Sequence, residues 1–216
     1  MDEKSYKTEI IKDPKTKFDF HVKVLVLGDA KVGKTSILNQ LTENNFSQEY
    51  IPTKGYKYKL CFIKVNNLII KFQLWDMCGE ENYRPNALLL YRNANLGILV
   101  YSISSKESFD NLDNWITQMK EKSPNTKIIL LGNKSDENDK REVSYEEGKE
   151  MCKKHNLYYF TEISAANEIN SPSFLEVGAI WLYKEYENNP NDVSVAGMSE
   201  SILLEPPKKG KSYFAN

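Results

Sequence analysis

The sequence has no excess of charge of either sign: 29 Lys and Arg stand against 30 Asp and Glu, a formal net charge of -1 over 216 residues. Duplex nucleic-acid binders carry a basic balance that neutralises phosphates, so no nucleic-acid partner is expected. Cysteine is scarce as well. Cys61, Cys78 and Cys152 are odd in number, scattered, and lack any pair at metal-ligand or redox spacing, which argues against a disulfide framework and for a reducing, cytoplasmic setting. No stretch approaches the roughly 18 apolar residues of a membrane span. The start, MDEKSYKTEIIKDPKTK, has no apolar core for a signal peptide. There is no internal repeat. What remains is one ordinary domain with tails, 40% hydrophobic and long enough to bury a core.

Residues 1–19 are charged and aperiodic, and are read as a flexible extension. HVKVLVLG, His21 to Gly28, is a short β-branched run leading into glycine, so the folded domain is placed at 20–187. A helix is expected after Gly33. YKYKLCFIKV and LIIKFQLWD are strand-like and are separated by Asn66-Asn67, plausible hairpin chemistry, which predicts an antiparallel edge pair. Beyond them strands and helices alternate: GILVYSIS, a helix from about Glu107 to Lys122, KIILLG, a helix through Tyr145 to Lys154, LYYFTEI, and a helix from about Ser173 to Tyr186. That order predicts an α/β fold with a mostly parallel sheet and helices on both faces. Ligands of such sheets sit at the carboxyl ends of the strands. From 188 to 216 the composition turns to Asn, Ser, Pro and Lys, and a flexible tail is expected.

Gly28-Asp29-Ala30-Lys31-Val32-Gly33-Lys34-Thr35 fits Gly-x4-Gly-Lys-Ser/Thr between a predicted strand and a predicted helix. The backbone N–H groups of such a loop form a nest, and the helix N-terminus adds its positive dipole end. Asp29 to Ser36 are therefore assigned to phosphate binding. Lys34 would neutralise the outer phosphates, and the Thr35 hydroxyl would ligate a magnesium ion bridging them.

A phosphate loop alone does not separate kinases, ATPases and GTPases. Asn133-Lys134-Ser135-Asp136 follows KIILLG at a carboxyl end of the sheet. Guanine offers two adjacent donors, the N1 hydrogen and the exocyclic amine, and one carboxylate such as Asp136 accepts both; adenine lacks that pair. The stem of Lys134 covers a ring face, and Asn133 ties neighbouring loops together.

With these motifs the chain resembles a Ras-like small GTPase, most similar to the Rab type, from about Phe20 to Tyr186. The resemblance implies a P-loop NTPase small G domain: a mostly parallel six-stranded sheet with one antiparallel edge strand. It also assigns further residues. Tyr50-Ile51-Pro52-Thr53 looks like the first switch, in which the threonine is a second magnesium ligand, and Phe46 stands where the family packs an aromatic ring beside the guanine. Trp75-Asp76-Met77-Cys78-Gly79 resembles the second switch, whose aspartate holds magnesium through water and whose glycine N–H contacts the terminal phosphate. Ile163-Ser164-Ala165, continuing to Ala166, resembles the second base-contacting loop. On this resemblance Lys34, Thr53, Gly79 and Glu80 form the catalytic set, and Thr35, Thr53 and Asp76 the metal set. An exchange factor, a GTPase-activating protein and effectors would read the switches of a monomer.

The departures carry expectations of their own. Glu80 stands where the family has a glutamine that orients the attacking water. An ionised carboxylate only accepts hydrogen bonds and brings negative charge near an anionic phosphate, so slow hydrolysis is expected. Ala166 replaces a lysine that packs over the base, which predicts weaker nucleotide retention. Ala30 and Lys31 fill loop positions that are often small in relatives, and Lys31 is expected to be solvated. Lys54, Tyr56 and Tyr58 replace more apolar residues after the switch threonine, which predicts an unusual partner surface. No cysteine follows Cys152 and Asp2 is not glycine, so no lipid anchor is expected and membrane recruitment would run through partners. The sequence leaves two main readings: a cycling GTPase of vesicle or intracellular membrane traffic, and a guanine-nucleotide-binding recruitment module that hardly hydrolyses. A phosphate-loop kinase or ATPase is disfavoured by Asn133 to Asp136.

Overall fold

A computed structural model describes residues 5–11, 13, 15–47, 49, 51–53, 55–79, 90–167 and 173–188. In chain order the elements are β1 (Thr8–Ile11), β2 (Phe20–Leu27), α1 (Lys34–Glu43), β3 (Tyr56–Val65), β4 (Leu68–Met77), β5 (Leu96–Ser102), α2 (Lys106–Asp110), α3 (Leu112–Lys122), β6 (Lys127–Asn133), α4 (Tyr145–Lys154), β7 (Tyr159–Glu162) and α5 (Ser173–Asn188). The described strands form one sheet in the order β1-β3-β4-β2-β5-β6-β7. From β4 to β7 every pairing is parallel, while β3 lies antiparallel to β4 and β1 antiparallel to β3.

The alternation of β2 explains how the sheet is covered on two sides. Val22, Val24 and Val26 point into one core with Ile37, Leu38 and Leu41 of α1 and Phe174, Leu175, Ala179 and Leu182 of α5. Leu25 and Leu27 point into the other, with Leu112, Trp115, Ile116 and Met119 of α3. On a strand flanked by helices on both faces a period of two makes both faces apolar, which is why Val24 to Leu27 read as a continuous hydrophobic run. The β3–β4 hairpin turns at Asn66, in the left-handed region at φ 53, a conformation asparagine tolerates. Its amide oxygen also accepts the Lys7 N–H at 3.0 Å.

Two expectations are corrected. The sheet has seven described strands rather than six, because Thr8–Ile11, within the segment read as an extension, pairs with Phe62–Val65. Non-local contacts hold it there: Tyr6 packs edge-on against Tyr183 with centroids 5.7 Å apart, and the Thr8 hydroxyl donates to Glu176 Oε1 at 2.9 Å. The helix expected from Glu107 to Lys122 is two helices meeting at Asn111, which stays right-handed at φ -73 and ψ -8. There both Asn114 and Trp115 donate backbone N–H bonds to the Asn111 carbonyl. The second core needs Phe109 from the first piece and Leu112 and Trp115 from the next. The tail expected at 188–216 lies, after Asn188, outside the described residues.

Candidate functional site

The parallel strands present their carboxyl ends to a common edge, and the loops leaving β2, β4, β6 and β7 meet there around a cavity of about 760 Å³. A cavity of that size suits a small organic ligand or cofactor.

At one end, the loop from Gly28 to Gly33 leads into α1. No side chain caps this helix, and its first turn holds no acidic residue, so its N-terminal N–H groups and dipole remain available to an anion. Gly33 has φ 96, and a Cβ there would sit 2.3 Å from Asn133 Nδ2, so only glycine lets the two loops approach. Lys34 is buried, its Nζ donating to the carbonyls of Gly28 at 2.8 Å and Asp29 at 2.6 Å. Burial pushes its ammonium down to about 8, against the pull of Asp76, Cys78 and Asp29. An anion seated in the loop would oppose that shift.

Thr35, Thr53 and Asp76 converge from α1, the segment before β3, and β4. Thr35 Oγ1 donates to Asp76 Oδ2 at 2.5 Å and lies 2.9 Å from Thr53 Oγ1, which is 3.4 Å from the same carboxylate oxygen. Asp76 is only 1% exposed. Burial raises its pKa, opposed by the Thr35 bond and by Lys34, Lys57 and Thr53. Its Oδ1 is buried with no hydrogen-bond partner among the described residues. Two hydroxyls beside an orphaned buried carboxylate oxygen fit a hard cation such as magnesium. Among the described residues no three His, Cys, Asp or Glu gather into a metal cluster, so such an ion would draw further ligands from phosphate and water.

At the other end, Asn133 donates to the Val32 carbonyl at 2.8 Å and accepts the Ala165 N–H at 3.3 Å. It ties the phosphate loop to the loop after β7, as expected of it. Lys134 takes the left-handed region at φ 67. Asp136 is exposed and is held by the Ser164 hydroxyl at Oδ1, while the Asn167 N–H donates to Ser164 Oγ.

Ala30, Lys31, Gly33, Lys34, Thr35 and Ser36 line the end of the cavity beside α1, with Thr53 and Gly79. Phe46, Asn133, Lys134, Asp136, Ala165 and Ala166 line the rest. Asp29, Val32, Asp76 and Ser164 stand behind this lining. Lys31 is exposed. Tyr50, Lys54 and Glu80 lie outside the described residues. Sequence reasoning missed Glu137 and Ser104: the Ser104 hydroxyl donates to Glu137 Oε2 at 2.6 Å, linking the loop after β5 to the one after β6. No short motif marks that pair.

The sequence model of the Ras family matches residues 23–179, which span every loop of this cavity. The chain belongs to the Ras family of small GTPases. Its resemblance to individual members extends further along the chain. It is 33% identical to Ras-related protein Rab-8A of Gallus gallus and 33% identical to Ras-related protein Rab-8B of Homo sapiens. It is 39% identical to Ras-related protein Rab-8A of Rattus norvegicus. Each comparison runs over 198 residues, 91% of this chain and 95% of the relative. This Ras-family chain is thus Rab-like. No helix among its described residues is long and apolar enough to cross a membrane.

Proposed function

We propose that this chain is a Rab-like switch that binds GTP and GDP with magnesium, hydrolyses GTP slowly, and acts in intracellular membrane trafficking. The observation that carries the reading is the single cavity shared by Lys34 and Thr35 at one end and Asn133 and Asp136 at the other. In it Lys34 and the N–H groups at the start of α1 hold phosphate oxygens, and Asp136 accepts the two guanine donors. Thr35, Thr53 and Asp76 would hold a magnesium ion, which when bound would offset phosphate charge. Thr53 and Gly79 belong to the two segments that gain contacts when the terminal phosphate is present and lose them on hydrolysis. Exchange factors, GTPase-activating proteins and effectors read that difference, and they bring a cytoplasmic monomer to its membrane. The switch domain occupies residues 20–187, with β1 added at its edge and Asn188 closing α5.

Slow hydrolysis follows from Glu80 at the glutamine position, since a carboxylate has no donor with which to orient the attacking water. Single-turnover GTP hydrolysis, comparing the natural chain with Glu80→Gln, tests this: the variant should be faster. Equal rates would remove the argument from Glu80. The same residue supports a second reading, a recruitment module that holds GTP and leaves it intact, which measurable single-turnover hydrolysis by the natural chain would exclude.

A further inference from the structure

Asp29 is the second residue of the phosphate loop, where a carboxylate turned toward phosphates would repel them. The structure turns it away. Its Oδ1 accepts the Trp115 Nε1–H at 2.7 Å, and its Oδ2 accepts the Asn111 Nδ2–H at 2.7 Å. Both donors are neutral and come from the junction of α2 and α3, the place where the expected single helix breaks. Trp115 is 2% exposed, fixed in the core of that face. Two donors converging on one group suit a carboxylate, which accepts at each oxygen; an amide would set its own donor against one of them. Bonds to a charged acceptor are also stronger than neutral pairs.

The main chain anchored by this side chain is boxed in elsewhere too. The Asp29 carbonyl accepts Lys34 Nζ. A Cβ on Gly79 would lie 2.4 Å from both the Asp29 carbonyl carbon and the Ala30 nitrogen, so the Gly79 main chain rests on that same peptide. Without the hold of α3, the Asp29–Ala30 peptide can rotate, shifting an acceptor of Lys34 and the seat of Gly79 together.

We propose that Asp29, Asn111 and Trp115 form a clasp in which Asp29 is a positioning residue, transmitting the fixed geometry of α3 to the phosphate loop and setting how long a nucleotide stays bound. The clasp rests on the guanine-nucleotide reading of the cavity. Its function differs from phosphate binding because the Asp29 carboxylate faces the helices.

The test loads the full chain with a fluorescent GDP analogue and magnesium, then follows release into excess GDP. Asp29→Ala should release about tenfold faster, and Trp115→Phe and Asn111→Ala about threefold faster each, as expected for losing two charge-assisted bonds or one. The double variant Asp29→Ala with Trp115→Phe should release no faster than Asp29→Ala alone, since the shared bond is already gone. Trp115→Phe keeps an aromatic ring in the core, so it supplies a folded case if Asp29→Ala does not fold. Variants with lower melting temperatures and parental release rates, or a double variant whose effects multiply, would overturn the clasp. A folded parent chain that retains no GDP analogue would bring down the nucleotide reading and the clasp together; a parent that retains it beside variants with unchanged release would bring down the clasp alone.

Discussion

The two ends of the cavity are built on different plans. At the end proposed to hold phosphate, the groups are main-chain donors and side chains sunk into the fold: Lys34 is 7% exposed and donates to two carbonyls of the loop before it, and Asp76 is 1% exposed and bonded to Thr35 and Thr53. At the end proposed to hold the base Phe46 is 38% exposed, Asp136 stands in solvent, and among the described residues the Ser164 hydroxyl steadies its carboxylate. A buried charge without its partner is costly, whereas an exposed one is rehydrated at little cost. The phosphate end should therefore respond to change abruptly and the base end by degrees.

The largest break in that contrast should come from Lys34→Ala, which removes the buried cation proposed to face the phosphates. A loss of about 3 kcal/mol, more than about a hundredfold in GDP affinity, is expected by calorimetry. A loss no greater than that caused by altering Asp136 would mean that the ends are not so different. Asp136→Asn should cost about 2 kcal/mol, roughly thirtyfold for GDP, because one acceptor oxygen and its charge are lost. A competition assay should show weak ATP binding hardly changed, and an equal drop for both nucleotides would remove Asp136 from base recognition.

A pH dependence sharpens the contrast from the phosphate side. Burial holds the Lys34 ammonium at about 8, and an anionic ligand favours its protonated form. Affinity is thus full below about pH 8 and falls as pH rises through that value, with a proton taken up on binding. GDP titrations at about pH 7 and about pH 8.5 should differ by about fourfold, and calorimetry in buffers of different ionisation heat should register the uptake. Identical affinities without proton uptake would show that Lys34 stays charged before ligand arrives. The smallest effect belongs to the base end. Ala166→Lys, restoring an apolar stem over the ring, should slow GDP release about threefold, consistent with about 0.7 kcal/mol from partial burial of methylenes. Unchanged release would mean that the ring face is already covered.

The same contrast governs what could be read from the chain alone. Gly33, Lys34 and Thr35, and Asn133 to Asp136, were legible because their chemistry is packed into eight and four consecutive residues with fixed placement beside strands. The alternating elements from β5 to α5 were legible from local patterning. β1 was not: TEII is too short and too charged in its surroundings to announce a strand, and it is recruited by Tyr183 and Glu176, far away in sequence. Nor could the direction of the Asp29 side chain be seen, because its partners lie more than eighty positions downstream. The break at Asn111 was hidden for a related reason. Its dihedrals remain helical, and only the hydrogen-bond ladder is interrupted.

Asn133 closes β6, a strand paired on both sides from Ile129 to Gly132 and with β5 alone at Asn133. Its carboxamide therefore inherits its position from the pleat of the sheet: moving β6 by one residue against β5 would invert every side chain on the strand. Val32 and Ala165 would then lose their common tie in the same step. Strand register thus acts as the ruler that spaces the two ends of the cavity.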